Sequence, residues 1–246
     1  MSPRRGFLIV RVQSLTLVAA SAALLAPTTL PATPVPYRPP AEPAARGDGG
    51  VVAADLLART RHCAQVSHGR YRSDAGTRAT IPVCGLSGAV YWKADLDIDC
   101  DGRPTRRCNR RTDPQFSPAA AYTQSDGRRL NAERLPYIVL PAPSRIWNHR
   151  AHGLRGGSVA ALVYRDRVRF AVVGDTGPRD VIGEASYAAA RQLGIPADPR
   201  GGGARSGVTY IVFENSRVGR IEDHAEAVAQ GERLVRRLVG GRARTR

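Results

Sequence analysis

Asp175 and Glu184 stand on either side of a short loop in the segment FAVVGDTGPRDVIGEASYAAARQLGIP, which runs from Phe170 to Pro196. The segment reads as a buried strand, a Gly-Asp turn, a loop and a helix. Asp175 is therefore expected at a strand end and Glu184 in the first turn of the following helix, where free backbone N–H groups and the helix dipole favour an anion. Two carboxylates so placed suit cleavage of a glycosidic bond. One protonates the leaving oxygen while the other activates water, across a gap of roughly 6.5–9.5 Å in inverting chemistry. The spacing alone also fits a turn aspartate followed by a charge at a helix start. Thr176 either orients a water through its hydroxyl or completes the turn.

The elements that must position these acids are mainly short β runs bounded by Gly, Pro and Asp. Strands are expected at Ala89–Lys93, Tyr137–Leu140, Val159–Tyr164, Val168–Val173 and Val208–Phe213. The third and fourth are close enough to form a hairpin. One helix is expected to start near Glu184 and stop at Gly194, with Pro196 beyond it; another spans Glu222 to Leu238 and ends at Gly240 and Gly241. No internal repeat is found.

The chain has 246 residues and a formal net charge of +16, carried by 36 arginines and a single lysine, Lys93, against 21 acids. Residues 1–46 hold +4 of this, leaving +12. No helix-turn-helix, finger or aromatic RNA-binding pattern accompanies the arginines, so no specific nucleic-acid partner is expected. Loose attachment to an anionic cell wall is compatible with the basic C-terminus, whose last residues, 242–246, form a basic tail.

Arg4, Arg5 and Arg11 precede an apolar run from Val12 to Ala26, then Pro27 and small residues up to Ala32. This order predicts a signal peptide over 1–32 and a secreted, extracellular protein without a transmembrane anchor. A Pro-rich linker over 33–50 follows, then a folded domain over 51–241. Export places Cys63, Cys84, Cys100 and Cys108 in an oxidising compartment, where two disulfides are expected. Three connectivities are open.

Several ordered blocks resemble glycoside hydrolase family 75, the secreted endo-chitosanases. They are Gly174-Asp175-Thr176-Gly177-Pro178, Ile182 to Tyr187, Val208 to Phe213, Asp97 to Gly102 and Leu135 to Pro141. The resemblance implies inverting hydrolysis of β-1,4 bonds of chitosan, with Asp175 and Glu184 as the catalytic pair; a monomer that needs no cofactor is expected. Glu184 is the expected general acid, because apolar Ile182 and Tyr187 beside it help it stay protonated, although a helix-start position acts the other way. Asp175 is then the general base.

The Asp-x-Gly-Pro and Ser-Tyr-Ala-Ala-Ala-Arg pattern has a wider similarity to the double-psi β-barrel of the rare lipoprotein A and barwin-like group. It implies a mainly β (α+β) fold, with a barrel core of about six strands and flanking helices. It also supplies two rival functions, a peptidoglycan-cleaving lytic enzyme and a non-catalytic wall-binding module.

Asp95, Asp97, Asp99 and Asp101 are expected either to line part of a cleft for cationic glucosamine units or to form a solvated turn stapled by Cys100. Asp97, Asp99, Asp101 and Gly102 also match four positions of a calcium loop, but the last ligand position is Cys108, and no metal is assigned. Tyr137 and Tyr187 are the aromatic candidates for stacking on a sugar.

Overall fold

The computed structural model describes residues 53–241. The expected signal peptide, linker and basic tail lie outside the described residues. In chain order the elements are α1 (Ala53–Arg59), β1 (Ala64–Gln65), β2 (Cys84–Leu86), β3 (Ala89–Asp99), β4 (Tyr137–Pro141), β5 (Val159–Tyr164), β6 (Arg167–Gly177), β7 (Glu184–Ser186), α2 (Tyr187–Leu193), β8 (Ala204–Phe213) and α3 (His224–Gly240).

Six strands close on themselves in the order β3, β7, β4, β6, β5, β8, with β8 pairing back onto β3. β1 and β2 extend the sheet beside the first half of β3. Two pairings are parallel, β3 with β7 and β4 with β6; the others are antiparallel. This is the barrel-like mixed fold with flanking helices that the sequence implied.

Alternation along the strands divides the core in two. Trp92, Ala94, Leu96, Ile138, Leu140, Ala171, Val173, Ala185, Val208 and Tyr210 belong to one cluster, joined by Ala189, Ala190 and Leu193 of α2. Tyr91, Tyr137, Val139, Phe170, Val172 and Ile211 point the other way and pack with Ala53 and Leu56 of α1 and Ala227 and Val235 of α3. Helices α1 and α3 thus cover an outer barrel face, while α2 packs with the opposite set of strand residues.

β5 matches its expected bounds, and a two-residue turn, Arg165-Asp166, joins it to β6. Four strands are longer than expected, β4 by Pro141 alone. β3 continues past Lys93 to Asp99, β6 past Val173 to Gly177, and β8 begins at Ala204. Aspartate is a poor strand former, yet pairing with β7 carries the Asp-x-Asp run on as strand.

α2 starts at Tyr187 and not near Glu184. Ser186 is its cap, and the Ser186 hydroxyl accepts from Ala189 N–H. Glu184 opens β7 instead, so the helix-dipole effect expected there does not act on it. Similarly α3 begins at His224, because Asp223 caps it by accepting from Glu226 N–H. Both disulfides form, Cys63 with Cys84 and Cys100 with Cys108. The first ties the chain before β1 to β2, and the second closes the loop that leaves β3.

Candidate active site

The two predicted acids come together through strand register. Asp97 of β3 is the parallel partner of Glu184, Ala185 pairs with Ile138 of β4, and Val139 pairs with Asp175 of β6. The antiparallel step from Ile138 brings Val139 beside Glu184. Asp97, Glu184, Val139 and Asp175 therefore form one row across four strands. Their neighbours Leu96, Ala185 and Ile138 face the other side. With one strand between them, the Glu184 and Asp175 backbones are roughly 10 Å apart. A register shift between Ile138 and Val139 puts Asp175, rather than Gly174, opposite Val139.

Burial sets the electrostatics. Asp175 is 5 % exposed, so it is not the open-turn residue that its Gly-Asp context suggests. Its Oδ1 accepts from Ala121 N–H at 2.6 Å and Thr176 N–H at 2.7 Å. Burial raises the Asp175 carboxyl, and those two N–H groups oppose the rise. Glu184 is pushed up to about 7, by burial first and then by the charges of Asp97, Asp175 and Asp101. Of the two acids, Asp175 has backbone donors holding its anion, while Glu184 has a crowd of negative charge favouring its proton.

The aspartates of β3 divide into different environments. Asp97 is exposed and, with Glu184, lines an open cleft of about 570 Å³ whose walls include Asp113, Gln115, Asp198 and Arg200. Asp95 is 6 % exposed and sits against Gly183, whose φ of +130° is a conformation that favours glycine. Burial and the charge of Asp97 push Asp95 up to about 7, and its Oδ1 has no hydrogen-bond partner. Asp99 and Asp101 are half-buried. Asp101 accepts from Ser117 N–H at 2.7 Å, and burial raises it to about 6 against that bond.

Asp97 and Asp99 belong to β3, so the partial calcium-loop motif is not an EF-type loop. Two acid groups do offer closely spaced ligand oxygens, Asp74 with Asp95 and Asp97, and Asp99 with Asp101 and Asp175. Within each group the atoms lie within 4.8 Å of one another.

Tyr137 has no exposed surface on which a sugar ring could stack. It reaches under the site, where its hydroxyl lies 3.2 Å from Asp99 Oδ1 and 3.0 Å from the Asp101 carbonyl oxygen. Tyr187 is half-buried at the start of α2, and Thr176 is half-buried beside Asp175, to which its N–H donates. Sequence reasoning missed Tyr210, Ser186 and Asp198. The Tyr210 hydroxyl bonds the carbonyls of Asp95 and Gly183, clamping β3 to the residue before Glu184. Ser186 bonds Leu135 O, Tyr137 N–H and Ala189 N–H. Nothing in local sequence marks a buried hydroxyl as such a junction.

Carboxyl groups in a row beside an open cleft on a small barrel are an arrangement that a glycoside hydrolase can use. Residues 96–235 match the family described as fungal chitosanase of glycosyl hydrolase group 75, and the chain belongs to that family. It is 31 % identical over 175 residues to endo-chitosanase C of Aspergillus oryzae, covering 68 % of this chain and 43 % of that relative. It is 28 % identical over 142 residues to an endo-chitosanase of Aspergillus fumigatus, covering 52 % of this chain and 59 % of that relative. The chain thus spans about half the length of these relatives. Among the described residues, no helix is long and apolar enough to cross a membrane.

Proposed function

We propose that the domain over residues 51–241 is an exported endo-chitosanase that cleaves β-1,4 bonds by inversion, with Glu184 as general acid and Asp175 as general base. The observation that carries this reading is the row Asp97, Glu184, Val139, Asp175, which sets two differently tuned carboxyls one strand apart. In the reaction a water oxygen bonds to the anomeric carbon and gives its proton to Asp175. The glycosidic C–O electron pair stays with the leaving oxygen, which takes the Glu184 proton. An α-anomer leaves.

The tuning fits those roles. A general acid must hold its proton near the working pH, and Glu184 does so because it is desolvated among anions. A base must be ionised, and the Ala121 and Thr176 N–H groups favour the Asp175 anion. The cationic substrate class suits a cleft whose walls carry Asp97, Asp113, Glu184 and Asp198. Its one arginine, Arg200, donates to the Arg111 carbonyl. The total charge of +16 does not oppose this, because screening over roughly 8–10 Å makes local composition decisive.

The test is hydrolysis of deacetylated chitosan, followed by viscosity and reducing ends beside chitin and peptidoglycan, with proton NMR of the first anomer released. Viscosity should fall ahead of reducing-end release, and the α-anomer should appear first. Glu184→Gln and Asp175→Asn should each lower kcat by at least about 10²-fold. Cleavage of peptidoglycan alone, an initial β-anomer, or wild-type turnover in both variants would each overturn the assignment.

A further inference from the structure

Asp99 lies deeper than the cleft wall, and its geometry differs from that of a group waiting for a cationic sugar. Its Oδ1 accepts from Asp101 N–H at 2.6 Å and lies 3.2 Å from the Tyr137 hydroxyl. Those two donors, one from the chain leaving β3 and one from β4, fix the plane of the carboxyl group. Tyr137 itself is fully buried. Asp99 Oδ2 takes part in neither bond.

What lies across is Asp175. Asp99, Asp101 and Asp175 each offer a carboxylate oxygen, and the three atoms are within 4.8 Å of one another. Two acceptors that share one water at hydrogen-bond distance are about 4.5 Å apart, given the water's own bond angle. The spacing therefore suits a single water that donates one hydrogen to Asp175 and the other to a neighbouring carboxyl. A water held by both hydrogens presents its lone pair in one direction, which is what attack on an anomeric carbon requires.

We propose that Asp99 is a further catalytic residue, the second acceptor that orients the water from which Asp175 takes a proton. The proposal rests on the reading of Asp175 as general base. It gives Asp99 a role different from that of Asp97, which faces the cleft. The groups facing Asp99 are Asp101 on its own chain segment, Tyr137 from β4, Asp175 from β6 and Glu184 from β7. All are acidic, and burial together with the Asp175 charge holds the Asp99 carboxyl well above the ordinary carboxylate range. Asp99 accepts from the water in its ionised form, and the Asp101 N–H at Oδ1 favours that anion against the rise.

Asp99→Asn discriminates sharply. The two donors at Oδ1 keep the amide oxygen on their side, so the amide NH₂ faces the water and replaces an acceptor with a donor. The expected result is a loss of kcat of about 10–100-fold, with KM within twofold of wild type and a thermal midpoint no lower than that of wild type. Tyr137→Phe, which removes one of those donors, should lower kcat less than Asp99→Asn does. Wild-type kcat in Asp99→Asn overturns the proposal, as does a rise in KM at constant kcat, which would make Asp99 a substrate-ammonium contact. Asp175→Asn is assayed in parallel. Inactive Asp175→Asn with active Asp99→Asn sinks this inference alone, whereas an active Asp175→Asn sinks the reading of Asp175 as general base beneath it.

Discussion

Gly177 and the Glu184 carboxylate occupy adjoining space with no margin: a Cβ on Gly177 would stand 2.7 Å from Glu184 Oε2 and 3.1 Å from Val139 Cγ1. Gly177 lies two residues beyond Asp175 on β6, so the glutamate side chain reaches across β4 toward the strand that carries the other acid. Because the contact is with the far end of a flexible side chain, Gly177→Ala should move Glu184 without disturbing the barrel. Its kcat on chitosan should fall about tenfold or more, while the thermal midpoint changes by less than about 2 °C. Steady-state kinetics and a melting curve on the same sample check both halves.

The pH profile of kcat/KM should be bell-shaped, with signs set by the two roles. Glu184 must be protonated to act as acid, so activity falls as pH rises through about 7. Asp175 must be ionised to act as base, so activity also falls on the acid side, below its raised value. Asp97→Asn removes the largest charge acting on Glu184 and should shift the alkaline limb to lower pH. An alkaline limb that stays in place in that variant would mean that Asp97 does not tune Glu184.

Asp95 makes stability depend on pH in the opposite sense to an ion-paired carboxylate. Its folded-state value is about 7, against an unfolded value of 3.8. Between the two, the folded state holds a proton that the unfolded state has released, so stability falls as pH rises across that window. Asp95→Asn keeps the shape and removes the ionisation. Its thermal midpoint should exceed that of wild type by about 3–6 °C at pH 8 and match it at pH 4. Equal midpoints at pH 8 would show that Asp95 ionises in the folded protein without cost.

Ser186 joins three segments through one hydroxyl, donating to Leu135 O and accepting from Tyr137 N–H and Ala189 N–H. Ser186→Ala removes the α2 cap and leaves buried backbone N–H groups unpaired. The expected cost is about 2–3 kcal/mol, read from urea unfolding, with a smaller fall in kcat because β7 carries Glu184.

The sequence by itself determined the chemical types at the site and the strands that hold them. The apolar runs at Val159–Tyr164 and Val208–Phe213 marked strands, and Asp175 and Glu184 were identifiable as a pair bracketing one loop. The tertiary structure decided where each acid faces. The alternating aspartates look like a turn in isolation, and only the parallel partner β7 makes them strand and sets Asp97 beside Glu184. Tyr137 looks like a sugar platform until the packing over it shows a buried support for Asp99. Glu184 looked like the start of a helix, but the Ser186 cap moves that start to Tyr187. Periodicity and propensity act over a few residues. The pairing of residue 97 with 184, or of 139 with 175, is fixed by which side chains the closed barrel buries, and that is settled only when distant segments meet.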